Sequence, residues 1–195
     1  MRNPGPFLAY CHGDSCPDNC ILVDGAMRLF DFQWSRFGHA PLDASTARIH
    51  FGTCWCVNRL PAHMPLLMER AYREELTAGC PAASDDRSFY RGLLAACAVR
   101  IAGFCQDFPL ALLLEGDRKI AISTARQIVL LRFDSVAAAT EEFAYLEALG
   151  MTLREMAMVL RTRWSPETGD MEMAYYPAFR QDNALVRSHS ASPST

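Results

Sequence analysis

Residues 12–32 read HGDSCPDNCILVDGAMRLFDF, and this stretch decides the fold of the first part of the chain. Two short apolar runs, residues 20–23 and 27–30, flank Asp24-Gly25. This dipeptide adopts positive φ easily and is typical of tight hairpin turns. The pattern predicts an antiparallel β-hairpin, which would place the polar loop before it beside Asp31.

Beyond about residue 43 the pattern becomes helical, because apolar residues recur at intervals of three and four. Ser84 or Asp85 can cap one helix, and Thr152 with Glu155 can form a capping box for the last. The sequence therefore predicts an α+β fold that is mostly α, with a short β-hairpin region followed by a helical subdomain. The predicted helices cover residues 43–57, 62–78, 86–104, 121–132, 136–149 and 152–163.

The length of 195 residues fits one domain with a sizeable core. We predict that residues 1–165 form this domain, with the polar loops in residues 1–45 and the helices in residues 46–165. Residues 166–195 are an extension. Its end, residues 181–195, is polar and has too little apolar surface to pack, so we expect it to be disordered.

The composition is that of an ordinary globular protein. Half of the residues are hydrophobic and the formal net charge is −3, so the chain offers no basic field to a nucleic acid. The longest apolar runs are far shorter than the about 20 residues that span a bilayer. The N-terminus lacks the apolar segment of a secretory signal. We therefore expect a cytoplasmic protein that binds neither nucleic acid nor membrane.

The polar loop has the spacing H-x-D-x-x-x-x-N, which is that of kinase catalytic loops. In phosphoryl transfer the protein mainly positions the reactants and stabilises charge. A carboxylate must meet the acceptor hydroxyl while a nearby amide oxygen holds Mg²⁺, and Asp14 and Asn19 fit these two roles. A second metal-binding carboxylate is expected after the hairpin, where Asp31 stands before Phe32.

The motif His-Gly-Asp-x-x-x-Asx-Asn, followed by a hairpin and then Asp-Phe, resembles the aminoglycoside phosphotransferase and choline kinase-like family. Residues 37–44 are similar to the segment that ends in Asp-Leu-Ala in this family, and the likeness covers most of residues 5–165. The resemblance implies the C-terminal lobe of a protein-kinase-like fold. It also implies transfer of a phosphoryl group from ATP, with Mg²⁺, to a hydroxyl of a small molecule.

Residue by residue, the resemblance implies that Asp14 is the catalytic base or the carboxylate that orients the hydroxyl. It implies that Asn19 and Asp31 bind magnesium. The alternative is that Asp14 and Asp31 are ordinary turn residues, because aspartate is common in loops. The residues that would support the site are His12, Gly13 and Asp43. Of these, Asp43 would brace the loop from the first helix or serve as an ordinary N-cap.

In this family the glycine-rich loop and the nucleotide-binding lysine precede the catalytic loop. Here residues 1–11 precede His12, and the sole lysine, Lys119, lies in the helical part. We favour the hypothesis that the sequence is part of a complete phosphotransferase. The alternatives are a truncated non-catalytic binding module or pseudokinase remnant, and a metal or redox protein that uses its cysteines.

The eight cysteines allow two interpretations. Reduced cysteine commonly behaves as a small buried hydrophobe in a cytosolic protein, and we prefer this interpretation. The alternative is a metal site of Cys11, Cys16 and Cys20, with Cys54 and Cys56 as further ligands. Their spacing does not give the two paired knuckles of a zinc ribbon.

Acidic residues of the helical part also allow two interpretations. In a loose analogy with relatives that phosphorylate cationic acceptors, they could bind the charge of a cationic substrate. A solvated helix face explains them as well, and is the commoner case. These residues are Glu69, Glu74, Glu75, Asp85 and Asp86.

Overall fold

The computed structural model describes residues 3–51, 54, 57–168 and 171–180. In this part the chain has an α+β fold that is mostly helical, with small two-stranded sheets. The strands are β1 Leu8–Cys11, β2 Cys20–Val23, β3 Ala26–Leu29, β4 Arg36–His39, β5 Lys119–Ile120 and β6 Ser123–Thr124. The helices are α1 Pro41–Arg48, α2 His63–Gly79, α3 Asp86–Asp107, α4 Leu110–Glu115, α5 Ala125–Glu142 and α6 Glu147–Thr168.

The predicted hairpin is confirmed. Strands β2 and β3 pair antiparallel, with Cys20 opposite Leu29. The two-residue turn between them has Asp24 at φ 50° and Gly25 at φ 76°, and two such left-handed residues are the requirement of a type I′ turn. Because the strands run antiparallel, the loop before β2 and the residues after β3 lie at the same end of the hairpin.

A second strand pair lies at the base of this hairpin. Strand β1 pairs antiparallel with β4, and Cys11 stands opposite Arg36. The sequence gives no signal for β4, because its RFGH contains no apolar run. The polar loop of residues 12–19 therefore begins at the end of β1, and the turn that follows Asp31 leads back into the same two-stranded sheet at β4.

Helices α1, α2 and α3 correspond to the first three predicted helices, but not all of their boundaries agree with the prediction. Helices α2 and α3 begin within one residue of the predicted positions, and Asp85 caps α3 by accepting a 2.8 Å hydrogen bond from the Ser88 N–H. Helix α1 ends at Arg48, well before the predicted end at residue 57. It stops there because His50 and Phe51 are left-handed, at φ 52° and 57°.

The last part of the chain forms two long helices where three were predicted. Helix α5 continues through the predicted break, and α6 begins at Glu147. Thr152 thus lies inside α6, where its Oγ1 donates to the Ala148 carbonyl at 2.9 Å, so the predicted capping box is wrong. Threonine can bond to a helix carbonyl as well as cap a helix. A capping box does occur at the start of α5, between Thr124 and Gln127.

Helix α5 lies at the centre of the apolar core. Its residues Val129, Phe133 and Val136 are buried against α6, which contributes Leu153 and the fully buried Trp164. Each such side chain contributes about 1.5–3 kcal/mol when it is removed from water. Apolar packing between helices therefore stabilises this part of the molecule, residues 41–168, which we call the helical body.

Helix α3 is the one helix of the described part that is long and apolar enough to cross a membrane by length and composition. In this fold it contributes Phe89, Leu93, Leu94 and Cys97 to the buried core. It packs against α1 and α5. The core helix of a globular fold has the same composition, and this packing accounts for the apolar character of α3.

The end of the described chain returns along the helical body. Helix α6 runs through Thr168, past the predicted domain boundary at residue 165. Further on, Tyr175 forms a parallel bridge with Arg59, and Met173 is buried in a core cluster. Residues 181–195, for which we expect disorder, lie outside the described residues.

Candidate active site

The polar loop of residues 12–19, which we call the catalytic loop after the kinase motif whose spacing it has, is fastened to helix α1 by one carboxylate. Asp43 Oδ2 accepts a 2.7 Å hydrogen bond from the His12 N–H, and Asp43 Oδ1 accepts a 3.1 Å bond from the Gly13 N–H. Hydrogen bonds to an ionised acceptor are the stronger ones in proteins. Asp43, placed in the first turn of α1, thus fixes where the backbone of the loop begins.

The His12 side chain connects the loop to Phe30, the residue that follows the second strand of the hairpin. Its Nε2 lies 2.9 Å from the Phe30 carbonyl, and its Nδ1 lies 3.3 Å from the Asp14 N–H. Since a carbonyl only accepts and an amide N–H only donates, the ring carries its proton on Nε2. The buried ring also packs 4.6 Å from that of Phe32. His12 therefore orients the residue that the sequence assigns to catalysis.

Gly13 occupies a position that other residues would strain. Its φ is 84°, in the left-handed region. A Cβ added there would lie 2.6 Å from the Trp34 carbonyl oxygen, which is backbone and cannot move aside as a side chain could. Glycine is required here on both grounds, by conformation and by the close approach of the turn after Asp31.

Asp14 and Asn19 lie against each other. The Asn19 Nδ2 donates to the Asp14 backbone carbonyl at 2.9 Å and to Asp14 Oδ2 at 3.2 Å. The other carboxylate oxygen, Asp14 Oδ1, is buried and has no hydrogen-bond partner among the described residues. With its Nδ2 turned towards Asp14, Asn19 retains Oδ1 as the atom that could bind a cation.

Asp31 is exposed. The residue before it, Phe30, is hydrogen-bonded to both ends of the catalytic loop. Phe30 donates its N–H to the Asn19 carbonyl at 3.1 Å and accepts from His12 through its own carbonyl. Asp31 itself is left-handed, at φ 61°, and turns the chain into the short helix of residues 32–34. The backbone thus brings Asp31 to the same end of the hairpin as Asn19.

A cavity of about 550 Å³ opens beside the catalytic loop. Its wall includes Gly13 and Asp43 from the loop and α1, Arg100 from α3 and Arg132 from α5. Arg100 donates from Nε and Nη2 to the Leu42 carbonyl at 3.0 and 2.8 Å. Cavities of this size hold small molecules in many proteins.

Arg100 and Arg132, two of the arginines that line this cavity, carry a charge that is costly to bury. Burial lowers the pKa of Arg100, and the nearby carboxylates of Asp43 and Asp14 partly offset the effect. Burial and then repulsion by Arg100 lower the pKa of Arg132 to about 9. Neither arginine is among the site residues that the sequence predicts. The available signal was an isolated arginine in an apolar stretch of a core helix, as in AVRIAGF around Arg100.

The acidic residues considered for a cationic acceptor do not line this cavity. Glu69 is buried and paired with Arg48, with a 2.5 Å distance between Glu69 Oε2 and Arg48 Nε. A solvated face is therefore the wrong description of Glu69. Asp86 pairs with Arg73 and Asp85 caps α3. The remaining two, Glu74 and Glu75, are exposed.

Four of the buried cysteines have two different kinds of surroundings. Cys11 and Cys97 are buried thiols, and burial raises their pKa to about 11 and about 12, which is the behaviour of packed, unreactive cysteine. Cys16 and Cys54, in contrast, come together with Asp18. Of the set proposed from sequence, the described residues thus join Cys16 and Cys54 but not Cys11 or Cys20, while Cys56 lies outside the described residues.

We compared the chain with protein-family models and with curated proteins, and neither comparison gave a match.

Proposed function

We propose that this chain is the acceptor- and magnesium-binding lobe of an ATP-dependent small-molecule phosphotransferase, similar to the aminoglycoside phosphotransferases. The observation that carries the proposal is the buried Asp14 Oδ1, which has no hydrogen-bond partner among the described residues. A buried carboxylate oxygen in this state is costly. An acceptor hydroxyl that donated to it would remove the cost and would at the same time be oriented for attack on a phosphoryl group.

The arrangement around Asp14 supports the magnesium role of its neighbours. Asn19 offers an amide oxygen and the exposed Asp31 offers a carboxylate, and Mg²⁺ prefers oxygen ligands of both kinds. In an enzyme of this class the bound magnesium neutralises charge on the β- and γ-phosphates of ATP. Asn19 and Asp31 would hold the ion, while Asp14 would receive the hydroxyl.

The cavity beside the loop supports a small acceptor that carries an anionic group. Three arginines line it, Arg36, Arg100 and Arg132, against the two aspartates Asp43 and Asp107. The Asp43 carboxylate is engaged by the His12 and Gly13 N–H groups. We therefore propose a hydroxyl compound with a carboxylate or phosphate as the acceptor, in preference to a cationic aminoglycoside or choline.

The exposed face of the hairpin supports a requirement for a nucleotide-binding lobe. Leu22 and Met27 are 73% and 70% exposed at paired positions of β2 and β3. Contiguous exposed apolar side chains usually mark a contact surface. We propose that a lobe with the glycine-rich loop and the nucleotide lysine packs here, and that the complete protein works in the ATP-rich cytoplasm.

The experiment joins this chain to the segment encoded upstream in the same reading frame and measures transfer from radiolabelled ATP to a panel of small hydroxyl compounds. We expect magnesium-dependent transfer, with a lower KM for acceptors that carry an acidic group. Asp31→Ala should raise the magnesium concentration needed for half-maximal rate about tenfold, a magnitude typical of lost support at a metal site. The control Glu155→Ala, on the exposed face of α6, should leave it unchanged.

Two results would count against the proposal. An Asp31→Ala enzyme with a normal magnesium requirement rules against Asp31 as a ligand. Absence of transfer to every acceptor, in a folded protein that binds ATP, would favour the alternative of a non-catalytic binding module or pseudokinase remnant.

A further inference from the structure

Two cysteines and one aspartate meet at the edge of the catalytic loop. Cys16 and Asp18 belong to the loop, and Cys54 follows the left-handed turn after α1. One ligand atom from each of these residues lies within 4.8 Å of the other two. Neither cysteine is in a disulfide. These residues come from two segments about 36 positions apart in sequence, so the cluster is formed by the fold and not by local spacing.

The distances in this cluster are close to those of a tetrahedral metal site. Zinc binds thiolate sulfur at about 2.3 Å and carboxylate oxygen at about 2.0 Å, which places the two ligand atoms about 3.5 Å apart. Cys54 Sγ lies 3.4 Å from Asp18 Oδ1. The two sulfurs of a tetrahedral zinc site are about 3.8 Å apart, so the 4.8 Å limit leaves at most about 1 Å of movement to close the site.

The ligand types select a soft ion. Paired thiolates favour zinc over magnesium or calcium, which prefer oxygen. A bound divalent ion would keep both sulfurs deprotonated and would offset the charge of the Asp18 carboxylate. The cluster is therefore chemically distinct from Asn19 and Asp31, whose oxygens suit magnesium.

The surroundings give the cluster one closed side and one open side. Cys16 and Cys54 are 1% and 4% exposed and belong to an apolar cluster with Phe51 and Val57. Asp18 is exposed, so water can reach the ion from that side as a fourth ligand. An ion at this position would join the catalytic loop, between Asp14 and Asn19, to the helical body.

We propose that Cys16, Asp18 and Cys54 form a zinc site that fastens the catalytic loop to the helical body. The site does not depend on phosphoryl transfer, and it can be tested on the 195-residue chain as it exists.

The test is the zinc content of the reduced protein after equilibration with zinc and removal of the excess by gel filtration. We expect about one zinc ion per chain for the wild type, and a loss of most of this zinc in Cys16→Ser and Cys54→Ser. The matched control is Cys105→Ser, which removes a half-buried thiol of α3 and should retain the zinc. Substitution with cobalt should give a thiolate-to-cobalt absorption band in the wild type that Cys54→Ser lacks.

A serine variant that fails to fold is recognised by its far-ultraviolet circular dichroism. In that event Asp18→Ala provides the test. Asp18 is exposed, so loss of its carboxylate should weaken zinc binding at least tenfold without unfolding the protein. A wild type that retains no zinc, or equal zinc in the wild type and the folded variants, would overturn the proposal.

Discussion

Trp34 and Trp164 show how differently two parts of the molecule are built. Trp34, in the turn after the hairpin, is 60% exposed, whereas Trp164 in α6 is 0% exposed. The contrast is general, because 11 of the 21 exposed large hydrophobic side chains of the described part lie within residues 8–37. The helical body is held by its apolar core, while the catalytic loop is held by hydrogen bonds from Asp43 and His12. Stability and site geometry should therefore respond to different substitutions.

The largest expected effect on stability comes from the core tryptophan. Trp164→Ala should lower the free energy of unfolding by about 3–5 kcal/mol, because it leaves a cavity where a fully buried ring had packed. Trp34→Ala should change it by less than about 0.5 kcal/mol, as is usual for exposed side chains. Urea denaturation of the two variants measures both values, and equal losses would contradict the division into two parts.

A pH effect of similar size should also come from the helical body. His50 is buried, accepts a 3.0 Å hydrogen bond from the Leu60 N–H at Nδ1, and lies 3.2 Å from Ser135 Oγ through Nε2. Burial, and then the charges of Arg59 and Arg132, lower the pKa of His50 to about 4. In the unfolded chain the pKa is about 6.5. Between these values only the unfolded state binds the proton, so stability should fall as the pH falls through this window.

His50→Asn isolates this effect. Asparagine offers an oxygen in place of Nδ1 and tolerates the left-handed φ of 52°. Between pH 7.5 and pH 4 the wild type should lose about 3 kcal/mol more than the variant. Guanidinium denaturation at several pH values measures the difference. Parallel pH profiles for the two proteins would show that His50 is not the group responsible.

The smallest effect separates two glycines of the hairpin region. Gly13 and Gly25 both have positive φ, 84° and 76°, but a Cβ at Gly25 would meet nothing within 4 Å. Gly25→Ala should therefore cost only the left-handed conformation, about 1–2 kcal/mol. Gly13→Ala should cost at least about 1 kcal/mol more, since its Cβ would press on the Trp34 carbonyl. Thermal denaturation compares them, and equal losses would mean that the loop and the turn can separate without cost.

The sequence predicted the parts of the molecule that depend on local chemistry. The Asp24-Gly25 turn and its apolar flanks predicted the hairpin. The spacing of the loop assigned Asp14 and Asn19 to one site, and in the structure Asn19 Nδ2 lies 3.2 Å from Asp14 Oδ2. The rest depends on contacts between distant segments. Helix α1 stops at a turn whose His50 is bonded to Leu60. The pairing of Cys54 with Asp18 and the meeting of Arg100 with Arg132 likewise require the packed fold.

The most direct test of the assignment of the catalytic loop is the rate of phosphoryl transfer by the protein joined to its nucleotide-binding lobe, with Asp14→Asn. This variant keeps the size of the side chain and should keep the stability of the wild type. We expect kcat to fall by about 10³-fold, the contribution typical of a positioned general base, while the control Glu155→Gln, exposed on α6, retains the wild-type rate. An Asp14→Asn protein with unchanged kcat would contradict the assignment of this loop as the catalytic site.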